Sequence, residues 1–371
     1  METRTVRISD PTSGEQEIRA AAGALSSGEL IVFPTETVYG IGASAVDRPA
    51  VDAMSRLKNR TPDKPFTLHL AGPEEAERYA GPLSPLALRL IRKTWPGPLT
   101  LVVPDRRPQT GHPEGLAEDA IYYQGTVGLR CPNHAVCQAI LRAARVPVIA
   151  SSANLAGQAP PRRAEEALGY LAGSVPLVVD SGPTQYSRAS TVLRISTDDQ
   201  YEVLREGVIA ARRLDRLAKT RVLLVCTGNL CRSPMAVGIG QRILSTRLKC
   251  APGELGRHGF EIASAGTGSA PGYPASDNAA AAMAERGIDI RGHRSQPMTV
   301  DSLLAADYIY VMTQGHLDAV LRLAPEVAPR AALLDPHGRP VADPIGGDIE
   351  AYRACARHLE QALLERLMEI V

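Results

Sequence analysis

Cys226 and Arg232 stand six positions apart at the two ends of Cys226-Thr227-Gly228-Asn229-Leu230-Cys231-Arg232-Ser233-Pro234. A thiolate is a strong nucleophile, and it is stabilised where backbone N–H groups and a cation converge. A guanidinium is a planar fork that holds two oxygens of a phosphate at once. The pair therefore suits attack of sulfur on a phosphoryl group. Such a displacement also needs a proton for the departing atom, and two Asp-Pro pairs could supply it, Asp335-Pro336 and Asp343-Pro344.

The elements around the pair must place it. Arg221 to Val225 read as a buried strand, Gly228 and Asn229 suit left-handed backbone, and Pro234 opens a helix. A tight loop feeding a helix start is a cradle of unpaired N–H groups at the positive end of a dipole. With six cysteines and 36 arginines in 371 residues, about 0.6 such spacings arise by chance, so the context carries the argument. The run CTGNLCRSPMA resembles the low-molecular-weight protein tyrosine phosphatase family.

That resemblance implies Cys226 as nucleophile, Arg232 as phosphate clamp and Asp343, in the Asp-Pro loop before the last helix, as general acid; Asp335 is then a turn residue. Thr227, Gly228, Asn229, Leu230, Cys231 and Ser233 support the phosphate loop, and no cofactor is implied for this half. Substrate markers are mixed. Bulky Leu230 before the second loop cysteine fits phosphotyrosine enzymes, whereas Thr227 and Ile345-Gly346-Gly347 fit protein arginine phosphatases. An arsenate reductase would need a further cysteine pair, and Cys250 and Cys355 are far apart. Alternating strands and helices after residue 221 predict a four-stranded parallel sheet with helices on both faces and ligand at the strand C-terminal ends.

The first half offers binding groups rather than a nucleophile. Pro34-Thr35-Glu36-Thr37-Val38-Tyr39-Gly40-Ile41-Gly42 reads as a hydroxyl-rich loop ending in paired glycines. Lys58, Arg60 and Lys64 concentrate cations in a chain with only five lysines, on a proline-held segment displayed rather than packed. A strand with His69, a strand from Thr126 to Arg130 and the small polar loop Ser151 to Gly157 follow. Each has a bland reading: a solvated basic loop, a core histidine, a turn.

In this order PTETVYGIG, KNRTPDKP, WPGPLT, TVGLRCPNH, SSANLAG, ASTV and LREG resemble the YrdC-like threonylcarbamoyl-AMP synthases over residues 15 to 210. The resemblance implies a twisted mixed sheet with helices around a basic cavity. It implies condensation of L-threonine, bicarbonate and ATP, the last accompanied by Mg²⁺, with a tRNA-modifying transferase as downstream partner. Thr35, His69, Arg130 and Ser190 would hold threonine; Lys58, Arg60, Thr126, Ser152, Asn154 and Arg205 would hold the nucleotide. A noncatalytic RNA-binding module is the alternative for this half, with a regulatory phosphatase domain behind it.

The length allows two domains: 1–207, a linker 208–220 that reads as helical, and 221–371. A net charge of +1 gives no global field for nucleic acid. No apolar run approaches the roughly 18 residues of a membrane span, and six cysteines without a C-x-x-C pair suggest neither a disulfide framework nor a zinc site. A cytoplasmic protein without membrane partners, acting on phosphorylated proteins through its second half, is the expectation.

Overall fold

A computed structural model describes residues 2–61, 63–107, 113 and 115–370; Pro62 of the basic segment lies outside them. The chain forms two units, Met1–Ala218 and Lys219–Val371.

The first unit is built on an eleven-stranded mixed sheet. Its strands are β1 (Arg4–Arg7), β2 (Ile31–Phe33), β3 (Gly40–Ser44), β4 (Thr67–His69), β5 (Leu99–Pro104), β6 (Tyr122–Tyr123), β7 (Thr126–Arg130), β8 (Val148–Ser152), β9 (Leu177–Asp180), β10 (Thr191–Ile195) and β11 (Tyr201–Arg205). They lie in the order β1-β9-β2-β3-β8-β4-β7-β5-β10-β11, with β6 paired to β7. Alternate residues of a strand face opposite sides, and β2 shows the result. Ile31 and Phe33 join the core under helices Glu15–Ser26 and Ala135–Ala144, while Val32 joins the larger core on the other face.

Two expectations change here. The glycines of the hydroxyl-rich run form buried strand β3, antiparallel to β2 and β8, rather than the end of a loop. A Cβ at Gly42 would lie 2.6 Å from the Phe33 ring, so the residue is small to admit an aromatic neighbour. Arg60 is also packed rather than displayed: its guanidinium lies 4.4 Å from the Phe66 ring centroid and donates to the carbonyls of Lys64 and Pro65.

Residues 206–218 close this unit. Thr191 Oγ1 accepts from Gly207 N (3.1 Å) and Ile209 N (2.9 Å) and donates to Ile209 O (2.9 Å). Helix Ala211–Leu217 buries Leu214 in the larger core, and Arg89 Nε donates to Ala218 O at 3.0 Å.

The second unit carries β12 (Thr220–Cys226), β13 (Phe260–Gly266), β14 (Tyr308–Val311) and β15 (Ala331–Leu333), all parallel in the order β13-β12-β14-β15. Val222 and Leu224 face the core under helices Arg232–Leu248 and Ile349–Met368; Leu223 and Val225 face the one under Val300–Ala305 and Gln314–Leu323. Chain order reverses at β12, which has β13 on one side and β14 on the other. The loop leaving β12 therefore opens at the crevice where such sheets bind ligands, and that loop begins at Cys226.

Candidate functional sites

Thr35, Arg60, His69, Thr126, Arg130, Ser152, Ser190 and Arg205 line one cavity of about 390 Å³ in the first unit. Strand ends supply most of them: His69 ends β4, Thr126 and Arg130 bound β7, Ser152 ends β8 and Arg205 ends β11. Lys58 and Asn154 stand behind this lining. Lys58 Nζ donates to Ser152 O (2.8 Å) and Asn154 O (2.5 Å), tying the helix that ends at Leu57 to the loop after β8. Asn154 spends both amide protons on Leu155 O and Gln158 O, each at 2.8 Å, so it braces its own loop.

The cavity concentrates positive charge at a cost. Burial, then the nearby Arg60, brings Lys58 down to about 8, and burial alone brings Arg60 to about 10. Burial and the charge of Arg130 lower Arg205 in the same direction. Buried cations are costly unless hydrogen-bonded or paired, and here backbone carbonyls meet Lys58 and Arg60. His69 is pushed to about 3 by burial and by Arg130, so its ring stays neutral at working pH, with Nδ1 3.3 Å from Thr67 O.

Arg130 is held from behind. Its Nη2 donates to Glu36 Oε1 at 3.0 Å and Thr37 Oγ1 at 2.6 Å, while its own Nε and Glu36 Oε2 have no partner among the described residues. Thr35 Oγ1 donates to Val38 O at 2.6 Å and accepts from Val38 N at 3.3 Å. Ser190 Oγ lies 2.9 Å from Thr100 Oγ1 and accepts from Arg205 Nη2 at 3.2 Å. Glu36 and Thr100 were not among the residues expected at the site, although Glu36 lies inside the hydroxyl-rich run and Thr100 closes the WPGPLT block.

In the second unit Cys226 ends β12, and Cys231 caps the helix that begins at Arg232. Cys226 Sγ lies 2.9 Å from Ser233 Oγ, and Asn229 Nδ2 donates to that oxygen at 2.8 Å. With a lone pair so occupied, the Ser233 proton is free to point at sulfur. Asn229 is left-handed (φ 55°), fully buried, and also bonds Ser264 Oγ, Gln296 N and, through its carbonyl, His293 Nε2. Gly266 must be a glycine here, since a Cβ would stand 2.5 Å from Thr227 O.

Arg232 Nη2 donates to Asp343 Oδ2 at 2.5 Å and Thr227 Oγ1 at 3.2 Å, and its buried Nε has no partner among the described residues. Asp343 is 39% exposed. Asp335 is different: its side chain is fully buried and accepts from His358 Nε2 (2.6 Å), Arg339 Nε (2.9 Å) and His337 N (2.8 Å). Burial raises its pKa, but those three donors outweigh it and hold the carboxyl at about 2. Leu230 sits half-buried with its carbonyl bonded to Ser276 N, and Cys231 Sγ lies 3.2 Å from Ser276 Oγ. His316, 2.8 Å from Thr227 Oγ1, is a neighbour that no local motif announced.

Among the described residues no cluster of three His, Cys, Asp or Glu could hold a metal ion, and no helix is long and apolar enough to cross a membrane.

Residues 23–207 match the Sua5/YciO/YrdC family model, described as telomere recombination, and residues 221–371 match that of the low molecular weight phosphotyrosine protein phosphatases. A threonylcarbamoyl-AMP synthase of Bacillus subtilis is 36% identical over 211 residues, 57% of this chain; the chain spans only 59% of that protein. A putative threonylcarbamoyl-AMP synthase of Mycobacterium tuberculosis is 36% identical over 212 residues, 57% of this chain and 94% of that protein. The solved YwlE arginine phosphatase from Geobacillus stearothermophilus is 34% identical, covering 40% of this chain and 94% of that one with a TM-score of 0.35. Two folds, each with its own cavity or loop, thus share one polypeptide, and the chain belongs to the Sua5/YciO/YrdC family through residues 23–207 and to the low molecular weight phosphotyrosine protein phosphatase family through residues 221–371.

Proposed function

We propose that the chain is bifunctional and acts in the cytoplasm: its first unit makes threonylcarbamoyl-AMP from L-threonine, bicarbonate and ATP, and its second hydrolyses phosphorylated proteins. The observation that carries the first reading is the cavity in which Arg60, Arg130 and Arg205 converge with Thr35, His69 and Ser190. Threonine's carboxylate would meet Arg130, its hydroxyl the Thr35 and Ser190 end, and the triphosphate the Lys58, Arg60 and Arg205 side, with Thr126, Ser152 and Asn154 shaping the nucleotide's bed. Charge develops on the α-phosphate and pyrophosphate during adenylation, so cations fixed beforehand are the main catalytic device. The product would pass to a transferase that modifies tRNA. Pyrophosphate release by the full chain that requires both L-threonine and bicarbonate tests this; RNA binding without such turnover would favour the noncatalytic alternative.

In the second unit the Cys226 thiolate would attack phosphorus in line. Arg232 and the loop N–H groups hold the equatorial oxygens, the bond to the leaving atom breaks, and Asp343 gives that atom its proton. Water then cleaves the phosphocysteine with Asp343 taking a proton back. Phosphotyrosine and phosphoarginine are the two candidate groups; exposed Ile345, in place of an aromatic after the Asp-Pro pair, provides little for stacking a phenyl ring. The deciding measurement is kcat/KM on matched phosphoarginine and phosphotyrosine peptides, with Cys226→Ser as blank. A preference for phosphoarginine assigns specificity to the acid loop, a preference for phosphotyrosine to Leu230.

A further inference from the structure

A single line of hydrogen bonds runs behind the phosphate loop. His316, near the start of helix Gln314–Leu323 and 7% exposed, places Nδ1 2.9 Å from Thr313 Oγ1 and Nε2 2.8 Å from Thr227 Oγ1. Thr227 Oγ1 also accepts from Arg232 Nη2 at 3.2 Å, and the same Nη2 donates to Asp343.

The order of donors is constrained. A hydroxyl has one proton and two acceptor sites, and a neutral imidazole has one donor and one acceptor nitrogen. Arg232 takes one acceptor site of Thr227, so the imidazole settles where the remaining proton or lone pair of that hydroxyl points. Burial and the charge of Arg232 both lower the pKa of His316, with Asp343 opposing them, which keeps the ring in its neutral form.

The line matters most when Asp343 is away from the arginine. To protonate a leaving group Asp343 must turn from Arg232 to the departing atom, and the fork then loses the carboxylate that orients it. Among the described residues Thr227 Oγ1 is then the remaining side-chain partner of Nη2, while Nη1 has only the long contact to Val341 O at 3.4 Å and Nε has none. We propose that His316 is a positioning residue of the phosphatase reaction: by fixing the Thr227 hydroxyl it holds the Arg232 fork in place while Asp343 is engaged with the leaving group. The inference rests on the phosphatase reading of this unit.

The test uses the full chain, p-nitrophenyl phosphate and inorganic vanadate, which takes up the five-coordinate geometry of the transition state. His316→Ala and Thr227→Val are each expected to lower kcat about tenfold, since a small misplacement of a catalytic group is costly. Vanadate affinity should fall by a similar factor while KM changes much less, and the double variant should lose no more than either single one. His316→Gln, whose amide can bond Thr227, should regain part of the loss. A structural role alone would not move kcat and vanadate affinity together at constant KM. Wild-type kcat and vanadate affinity in His316→Ala, or losses that multiply in the double variant, would overturn the proposal. If His316→Ala does not fold, Thr227→Val decides alone, and a wild-type result there overturns it equally. Hydrolysis surviving in Cys226→Ser would instead sink the phosphatase reading itself.

Discussion

Asp343 Oδ2 sits 2.5 Å from Arg232 Nη2, so the resting acid loop occupies one arm of the fork that a phosphate dianion needs. On the proposed mechanism the carboxylate is displaced as substrate enters, and the displaced group is then free for proton transfer. Asp343→Asn is expected to bind inorganic phosphate at least as tightly as wild type. Its turnover of substrates with poor leaving groups should fall by about 10²-fold or more. Weaker phosphate binding in the variant would show that the carboxylate is not a competitor.

Asp335 shares its Asp-Pro sequence with Asp343 and should behave in the opposite way. Its folded pKa is depressed to about 2 from the usual 3.8, so its contribution to stability is present above pH 3.8 and is lost as pH falls through about 2. Asp335→Asn should destabilise the second unit by about 2 kcal/mol and leave the dependence of kcat on leaving group unchanged. Calorimetry of that unit's transition, paired with two aryl phosphates of different leaving-group pKa, checks both halves.

Lys58 gives the first unit a pH signature. Folded, its ammonium loses its proton near pH 8; unfolded, it keeps it to about 10.5. Between those values the unfolded chain binds more protons, so this group makes the fold more stable as pH rises. If Lys58 meets the triphosphate as proposed, phosphate binding would move the other way, because the cation is lost. KM for ATP should rise roughly tenfold between pH 7 and 9, and Lys58→Arg should flatten the rise. A KM independent of pH in wild type would remove Lys58 from the phosphate site.

Glu36 and Arg130 form a buried ion pair, 1% and 7% exposed. Removing one partner strands the other, so Glu36→Gln should cost about 3 kcal/mol and raise KM for L-threonine more than KM for ATP. Trp95, the single tryptophan, lies buried in the first unit, so its fluorescence in urea reports that unit alone. An unchanged threonine KM would mean that Arg130 needs no carboxylate behind it.

What could be read from the sequence was local. The strand, loop and helix start around Cys226 occupy fourteen consecutive residues, Arg221 to Pro234, and the parallel four-stranded sheet followed from alternation alone. The strand order of the first unit was not legible. Strand β1 pairs with β9 at Arg4↔Leu177 and β7 sits between β4 and β5, pairings settled by which apolar faces can be buried together. The supporting residues escaped for the same reason. His316 and Glu36 bond partners 89 and 94 positions away, a distance over which no spacing rule speaks. Gly40 and Gly42 misled because glycine signals a turn more often than a strand pressed against a phenylalanine.

The hydroxyl of Thr191 has a practical consequence for anyone separating the two units. Cutting the chain at residue 207 would leave that buried oxygen without Ile209, bare the face that Leu214 covers, and free Arg89 from the Ala218 carbonyl. Thr191 is one residue from Ser190, whose partner Arg205 lines the cavity. A fragment ending at residue 207 would be judged a poor enzyme for reasons of tailoring, whereas one ending at Ala218 keeps its hem.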